Sequence, residues 1–195
     1  NNDSAYETAI SLIQKGINIE AIIDNREQIE SKLLYDVEKN NIKIYKGFTV
    51  TDTFGYKRIN KISLMQLSKD GQKVVGSKIT LSCDCLGISG GWTPAVHLFT
   101  QSGGKLKFRE EDQVFIPNIY PSNQLSIGSC NGDFTLDEIL INTPKLLIDY
   151  LNIKNTEYDN LEVSSSTNKS KRNIWLLPSD KILGKTKSFV DYQND

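Results

Sequence analysis

The first two dozen residues of this 195-residue chain constrain its fold more than any other stretch. Asp3 or Ser4 supplies a side-chain oxygen suited to capping a helix, Tyr6, Ile10 and Ile13 recur on one helical face, and Gly16 fits the left-handed position that ends one. Directly after it, Ile17-Asn18-Ile19-Glu20-Ala21-Ile22-Ile23 is a β-branched run that stops at Asp24. A helix followed by a short strand is the second half of a βαβ unit, so a first strand is expected just ahead of Asn1. The order then repeats. Glu27 to Lys39 carries Ile29, Leu33, Leu34 and Val37 at helical spacing, and Ile42-Lys43-Ile44-Tyr45 reads as the next strand. Helix and strand alternating in this way specify an α/β fold.

Ile59 to Leu67 and Lys78 to Cys83 read as strands around Lys69-Asp70-Gly71, a hairpin turn signal. Beyond Cys83 the apolar segment Leu86-Gly87-Ile88 gives way to Ser89-Gly90-Gly91-Trp92-Thr93-Pro94, and a helix is expected over Pro94 to Thr100. A strand that ends in glycines ahead of a helix exposes backbone at its carboxyl end, where open α/β sheets take their ligands. A second exit of this kind is expected at Leu125-Ser126-Ile127, a strand ending at Gly128. Phe134 to Leu151 then reads as helical, with Thr143-Pro144 either restarting the helix or kinking it.

Charge removes some classes of function. The chain has 23 basic and 24 acidic residues, so it lacks the broad positive surface that a nucleic-acid backbone requires. No apolar run approaches the roughly 20 residues needed to span a bilayer, and the first residues have neither a basic start nor an apolar signal core; the expectation is a cytoplasmic protein without membrane partners. Cys83, Cys85 and Cys130 are too few for a disulfide framework or a four-thiolate zinc site, and no metal site is expected. On a strand, residues i and i+2 stand nearly ~7 Å apart, beyond comfortable disulfide geometry. All three cysteines are therefore expected to be small buried apolar residues.

From Asn155 to Asn173 the sequence is polar and includes Ser164-Ser165-Ser166-Thr167-Asn168-Lys169-Ser170, the composition of a linker. Ile174-Trp175-Leu176-Leu177-Pro178 and Ser188-Phe189-Val190-Asp191-Tyr192 look like short extended pieces whose partners lie further along.

Four segments in this order are recognisable together: Asn1-Asn2-Asp3-Ser4-Ala5-Tyr6; Ser89 through Phe99; Gln101-Ser102-Gly103-Gly104-Lys105; and Phe189-Val190-Asp191-Tyr192-Gln193-Asn194-Asp195. They resemble the α subunit of heterotetrameric sarcosine oxidase, over essentially the whole chain but only a middle slice of that longer subunit. The resemblance implies an incomplete nucleotide-binding-like domain of the Rossmann, FAD–NAD(P)-reductase type, with a C-terminal linker. Residues 1–88 would be the second nucleotide-binding-like domain lacking its first strand, 89–154 a return segment toward a first cofactor domain, and 155–195 the linker and the start of a connection to a folate-binding, aminomethyltransferase-like domain. The implied complex oxidises sarcosine to glycine, passes electrons from FAD to FMN and on to oxygen, forming hydrogen peroxide, and delivers the one-carbon unit to tetrahydrofolate. The implied partners are the β subunit and smaller subunits, and the α subunit would hold an NAD that does not turn over. Two rivals stay open: a subunit of a related amine or opine dehydrogenase, and an NAD(P)H-dependent flavoprotein reductase.

The candidate cofactor-binding residues follow. The N-terminal turn takes the place of a glycine-rich dinucleotide loop, with Asp24 about 20 residues on to accept ribose hydroxyls. The glycines are absent and Asp3 adds negative charge, so a helix cap without a nucleotide is the favoured reading there. Ser89, Gly90, Gly91 and Trp92 form a turn where glycine backbone would pass close to a cofactor and the indole would cover it, against a plain turn holding a buried Trp. Gly128, Ser129, Asn131 and Gly132 match the place where flavin reductases of this fold carry Gly-Asp for a cofactor's sugar chain, with Ser129 where that Asp would be; amides of Asn131 and Gly132 at a helix start would receive a phosphate. Gly103, Gly104 and Lys105 form a loop with one cation, either contacting FMN at a subunit junction or simply joining helix to strand. His97 is the only imidazole, and packing is expected of it rather than acid–base chemistry. No nucleophile–base pair or pair of catalytic carboxylates is apparent, so no catalytic residue is assigned and the slice is expected to be inactive alone.

Overall fold

The computed structural model describes residues 2–29, 33–153 and 174–181. They form two units, one of residues 2–91 with 174–181, the other of residues 92–153.

The first unit is α/β as expected. Helix α1 (Ser4–Gln14) buries Tyr6 and Ala9, and it ends where Gly16 takes a φ of +80°. Strands β1 (Ala21–Asp24) and β2 (Lys43–Lys46) pair in parallel, with Ala21 opposite Lys43 and Asp24 opposite Lys46. Helix α2 (Leu33–Lys39) lies between them in sequence and completes a βαβ unit. Both expected elements are shortened. Strand β1 excludes Ile17 to Glu20, and Glu27 to Ile29 are not helical, since Arg26 just ahead of them is committed elsewhere: its amide donates to Asp24 Oδ1 at 2.9 Å and its carbonyl accepts from Gly47 N at 2.9 Å.

A three-stranded antiparallel meander follows, β3 (Phe48–Gly55), β4 (Ile59–Leu67) and β5 (Val74–Ser82), in that spatial order. The expected hairpin at Lys69-Asp70-Gly71 joins β4 to β5, and Gly71 takes a φ of +73°. Strand β3 is an addition to the expected elements. Alternation along β1 builds two cores: Ile22 joins Tyr6, Ala9, Val37 and Ile42 on the helical side, while Ala21 and Ile23 pack with Tyr45, Ile62 and Leu64. Just beyond the Ile174–Pro178 piece, two charged residues reach back to the meander. Asp180 pairs with Lys78 of β5 at 2.8 Å, and Lys181 with Asp52 of β3 at 3.0 Å.

In the second unit, α3 (His97–Gln101) precedes an antiparallel pair, β6 (Lys105–Arg109) and β7 (Val114–Ile119). Val96, Phe99, Val114 and Ile116 are its buried apolar residues. The strand expected at Leu125–Ile127 does not form: Ile127 is extended, at φ −132° and ψ 160°, but pairs with no strand, and a 3-10 turn (Gly128–Asn131) follows. Helix α4 (Leu136–Leu151) starts at a capping box, in which Glu138 N donates to Thr135 Oγ1 while Glu138 Oε2 accepts from Thr135 N. It runs without interruption through Pro144, so Thr143 does not start a second helix.

Cys85 and Cys130 are exposed and Cys83 is half-buried, so the cysteines are not core residues. The linker and the Ser188–Tyr192 segment lie outside the described residues. Among the described residues, no helix is long and apolar enough to cross a membrane.

Candidate functional site

Where β1 ends, four side chains far apart in chemistry share one buried network. Asp24 accepts from Tyr6 Oη at 2.9 Å, from Arg26 N at 2.9 Å and from Arg26 Nη2 at 2.8 Å, with Arg26 Nε within 3.1 Å. Arg26 also reaches Asp3, its Nη1 2.8 Å from Asp3 Oδ1 in an ion-pair contact outside hydrogen-bond alignment. Asp3, Asp24 and Arg26 are each 3–4% exposed. Burial alone would push the Asp24 carboxyl up, but hydrogen bonds and charge from Arg26 more than reverse it and hold the group below the usual carboxylate range. Burial and then the Asp24 carboxylate push the Tyr6 hydroxyl up.

Asp24 is therefore the anchor of Arg26. A ribose hydroxyl approaching it, as the sequence suggests, meets lone pairs already taken. Asp3 is not a bare negative charge at the helix start either, because Arg26 faces it. Sequence analysis singles out neither Arg26 nor the hydroxyl of Tyr6. Asp-x-Arg at a strand end reads as loop, and Tyr6 sits on an apolar stripe; only the tertiary fold brings them together.

Beside this network the Ser89 turn closes onto the start of α1. Asn2 Oδ1 accepts from Ser4 N at 3.0 Å, from Ser4 Oγ at 2.7 Å and from Ser89 Oγ at 3.1 Å, and the two serine hydroxyls are 2.5 Å apart. The side chain that accepts from the first turn is thus Asn2, whereas Asp3 and Ser4 were the expected caps. Two segments chosen separately from the sequence are in contact. Gly91 takes a φ of +122°, a region that side chains rarely adopt, and a methyl group added at Gly90 would meet only Ile88 Cγ2, at 4.0 Å. Backbone at this turn is open to close approach.

In the second unit Trp92 is 63% exposed, so the reading with a buried Trp is replaced by one with an uncovered indole. Ser129 is exposed, and Asn131 Oδ1 accepts from Tyr120 Oη at 3.1 Å. The amide of Gly132 is spent on Ser129 O at 3.2 Å, and α4 begins only after Thr135, whose capping box occupies the helix start. The phosphate site expected from helix-start amides at Asn131 and Gly132 therefore lacks its helix. Gly132, at φ +87°, is packed: an added Cβ would lie 2.9 Å from Arg109 Nη2 and from Ile116 Cγ2. Gly128, at φ +63°, has ordinary room beside Ile139.

Gly103 and Gly104 terminate α3, their amides donating to Thr100 O and Phe99 O at 3.0 Å each, and Lys105 opens β6 as an exposed residue. The helix-to-strand reading describes this loop geometrically. His97 is the first residue of α3 and is half-buried.

No protein-family model matches the chain. Sarcosine oxidase subunit alpha of Corynebacterium sp. (strain P-1) is 26% identical over 204 residues, covering 100% of this chain and 20% of that protein. The subunit of the same name from Corynebacterium sp. (strain U-96) is 28% identical over 131 residues, covering 67% of this chain and 13% of its own length. The chain is distantly related to sarcosine oxidase α subunits. It spans about a fifth or less of these curated relatives' length. Among solved structures, thioredoxin reductase of T. acidophilum aligns at 19% identity and a TM-score of 0.44, covering 66% of this chain and 45% of that one.

Proposed function

We propose that this chain is the nucleotide-binding-like part of a sarcosine oxidase α subunit, acting as cofactor scaffold and subunit interface in a cytoplasmic complex with a β subunit and smaller subunits. The complex demethylates sarcosine oxidatively to glycine, with FAD and FMN as electron carriers, oxygen reduced to hydrogen peroxide and tetrahydrofolate as one-carbon acceptor. This slice holds an NAD that does not turn over. The observation that carries the reading is the seating of the Ser89-Gly90-Gly91 turn on the start of α1, at the carboxyl ends of parallel strands.

The fit to a dinucleotide differs from place to place. At the start of α1, Asn2 and the buried pair of acids stand where a pyrophosphate would need bare backbone, which weighs against that turn as its cradle. Gly90 and Gly91 offer such backbone in the same unit. In the second unit, Trp92, Gly128, Ser129, Asn131 and Gly132 are proposed contacts on the strength of the resemblance, and Gly103, Gly104 and Lys105 are proposed to face the partner subunit or its flavin. Helix α4 agrees with a chain completed by other segments: none of its residues is buried, and Leu136, Leu140, Leu147 and Leu151 form an exposed apolar stripe.

The test is the cofactor content of the full-length polypeptide purified with its partners. Acid extraction and mass spectrometry should find NAD, and Gly91→Val should lower it; a preparation without NAD overturns the reading, and unchanged occupancy in the variant removes the Ser89 turn from the site.

A further inference from the structure

The hairpin tip between β3 and β4 presents three large side chains that the fold neither buries nor ion-pairs. Gly55 stands opposite Ile59, which leaves Tyr56, Lys57 and Arg58 as the loop. Tyr56 is 98% exposed, and Lys57 and Arg58 are exposed with it. Between Asp52 and Asp70 the chain carries Lys57, Arg58, Lys61 and Lys69 and no acid, although the chain as a whole is balanced at 23 basic to 24 acidic residues. Among the described residues neither Lys57 nor Arg58 has an ion-pair partner. Asp84 is close to the base of the hairpin, where Cys83 N donates to Asn60 O at 3.2 Å, yet it pairs with neither cation.

The backbone holds this tip in one shape. Gly55 takes a φ of +145°, and a Cβ there would stand 1.9 Å from the carbonyl oxygen of Arg58, so the two ends of the loop touch and only glycine admits the turn. On the strands below, the Lys61 ammonium lies 4.9 Å from the centroid of the Phe54 ring, a cation–π contact that seats a third positive charge. Residues 53–59 surround an open depression of about 240 Å³. A loop already fixed loses little freedom on binding. Tyrosine and arginine are the side chains that most often anchor protein interfaces, and cations without partners steer an acidic chain onto them. We propose that the Tyr56-Lys57-Arg58 tip docks an acidic segment of another polypeptide, with Tyr56 packed against it and Lys57, Arg58 and Lys61 meeting its carboxylates. No residue of the tip is among the proposed cofactor contacts, so the docking surface stands or falls apart from them.

Fluorescence anisotropy of a labelled polyglutamate peptide, titrated with the full chain, decides it. Lys57→Glu/Arg58→Glu should weaken binding about tenfold or more, and Tyr56→Ala about threefold or more. Lys15→Glu/Lys39→Glu makes the same change in net charge at exposed positions elsewhere in the unit and should leave affinity within about twofold. Raising salt from about 0.05 M to about 0.5 M should release the peptide from the wild type. The substituted side chains are exposed, so circular dichroism should match the wild type throughout; Tyr56→Ala, which leaves charge untouched, carries the test if a charge-reversed variant does not fold. Equal losses in the two charge-reversed variants overturn the proposal, because the attraction then belongs to net charge and not to the tip. A wild type that leaves the peptide free overturns it as well, as does unchanged binding by Tyr56→Ala. Tighter binding of a labelled oligouridylate than of polyglutamate at equal salt would replace the acidic polypeptide with RNA and overturn it too.

Discussion

Arg26 faces Asp3 across 2.8 Å and so joins the residue ahead of α1 to the segment leaving β1. The same guanidinium holds Asp24 from the other side. Replacing it with methionine strands two buried carboxylates, and removing one partner of a buried ionic network typically costs about 3–5 kcal/mol. Arg26→Met should therefore lower the urea midpoint sharply, and Arg26→Lys, which keeps the charge but not the fork, by less. A midpoint unchanged in both variants would show that the network contributes nothing to stability.

Stability should fall at both pH extremes through this network. Asp24 titrates below its ordinary value in the folded chain, so its contribution is present above about pH 4 and disappears as the pH drops through the folded value. Tyr6 is shifted the opposite way. Its contribution is full below about pH 10 and is lost as the pH rises toward the elevated folded value. Tyr6→Phe should lose about 1 kcal/mol near neutrality, yet decline less than wild type in urea titrations carried above about pH 10.

The two glycines after α3 should respond differently to alanine. At Gly104 an added Cβ would stand 2.4–2.7 Å from three carbons of the Phe99 ring, so Gly104→Ala overpacks a buried aromatic and should destabilise by about 1–3 kcal/mol or more. Gly103 has open space around it and only its φ of +94° to lose, which sets Gly103→Ala at roughly 1 kcal/mol. Thermal melts that rank the two in reverse order would contradict this packing.

Thr135→Ala should remove about 1 kcal/mol by opening the capping box of α4. Amide exchange in the first turn of the helix should quicken, and that of its middle should change little.

Local signals made α1 legible, because its apolar stripe and Gly16 act within a few residues of each other. Strands β3 and β6 carried signals too: Thr49, Thr51 and Thr53 alternate in one, and Leu106 and Phe108 between cations in the other. Leu125–Ile127 shows the opposite case, since apolar-polar alternation cannot supply a neighbouring strand. For the candidate site, the glycines of the Ser89 turn were visible as backbone exceptions. The contact between Ser89 and Asn2, 87 positions apart, and the role of Arg26 were not, because both depend on which loop the fold carries to which helix start.

Asp180 and Lys181 are adjacent and oppositely charged, and they reach opposite charges on the two outer strands of the meander. Entering from the other direction would bring Asp180 toward Asp52 and Lys181 toward Lys78, like against like. Two neighbouring residues thereby write a polarity into the sheet, a one-way key that admits the returning chain in a single orientation.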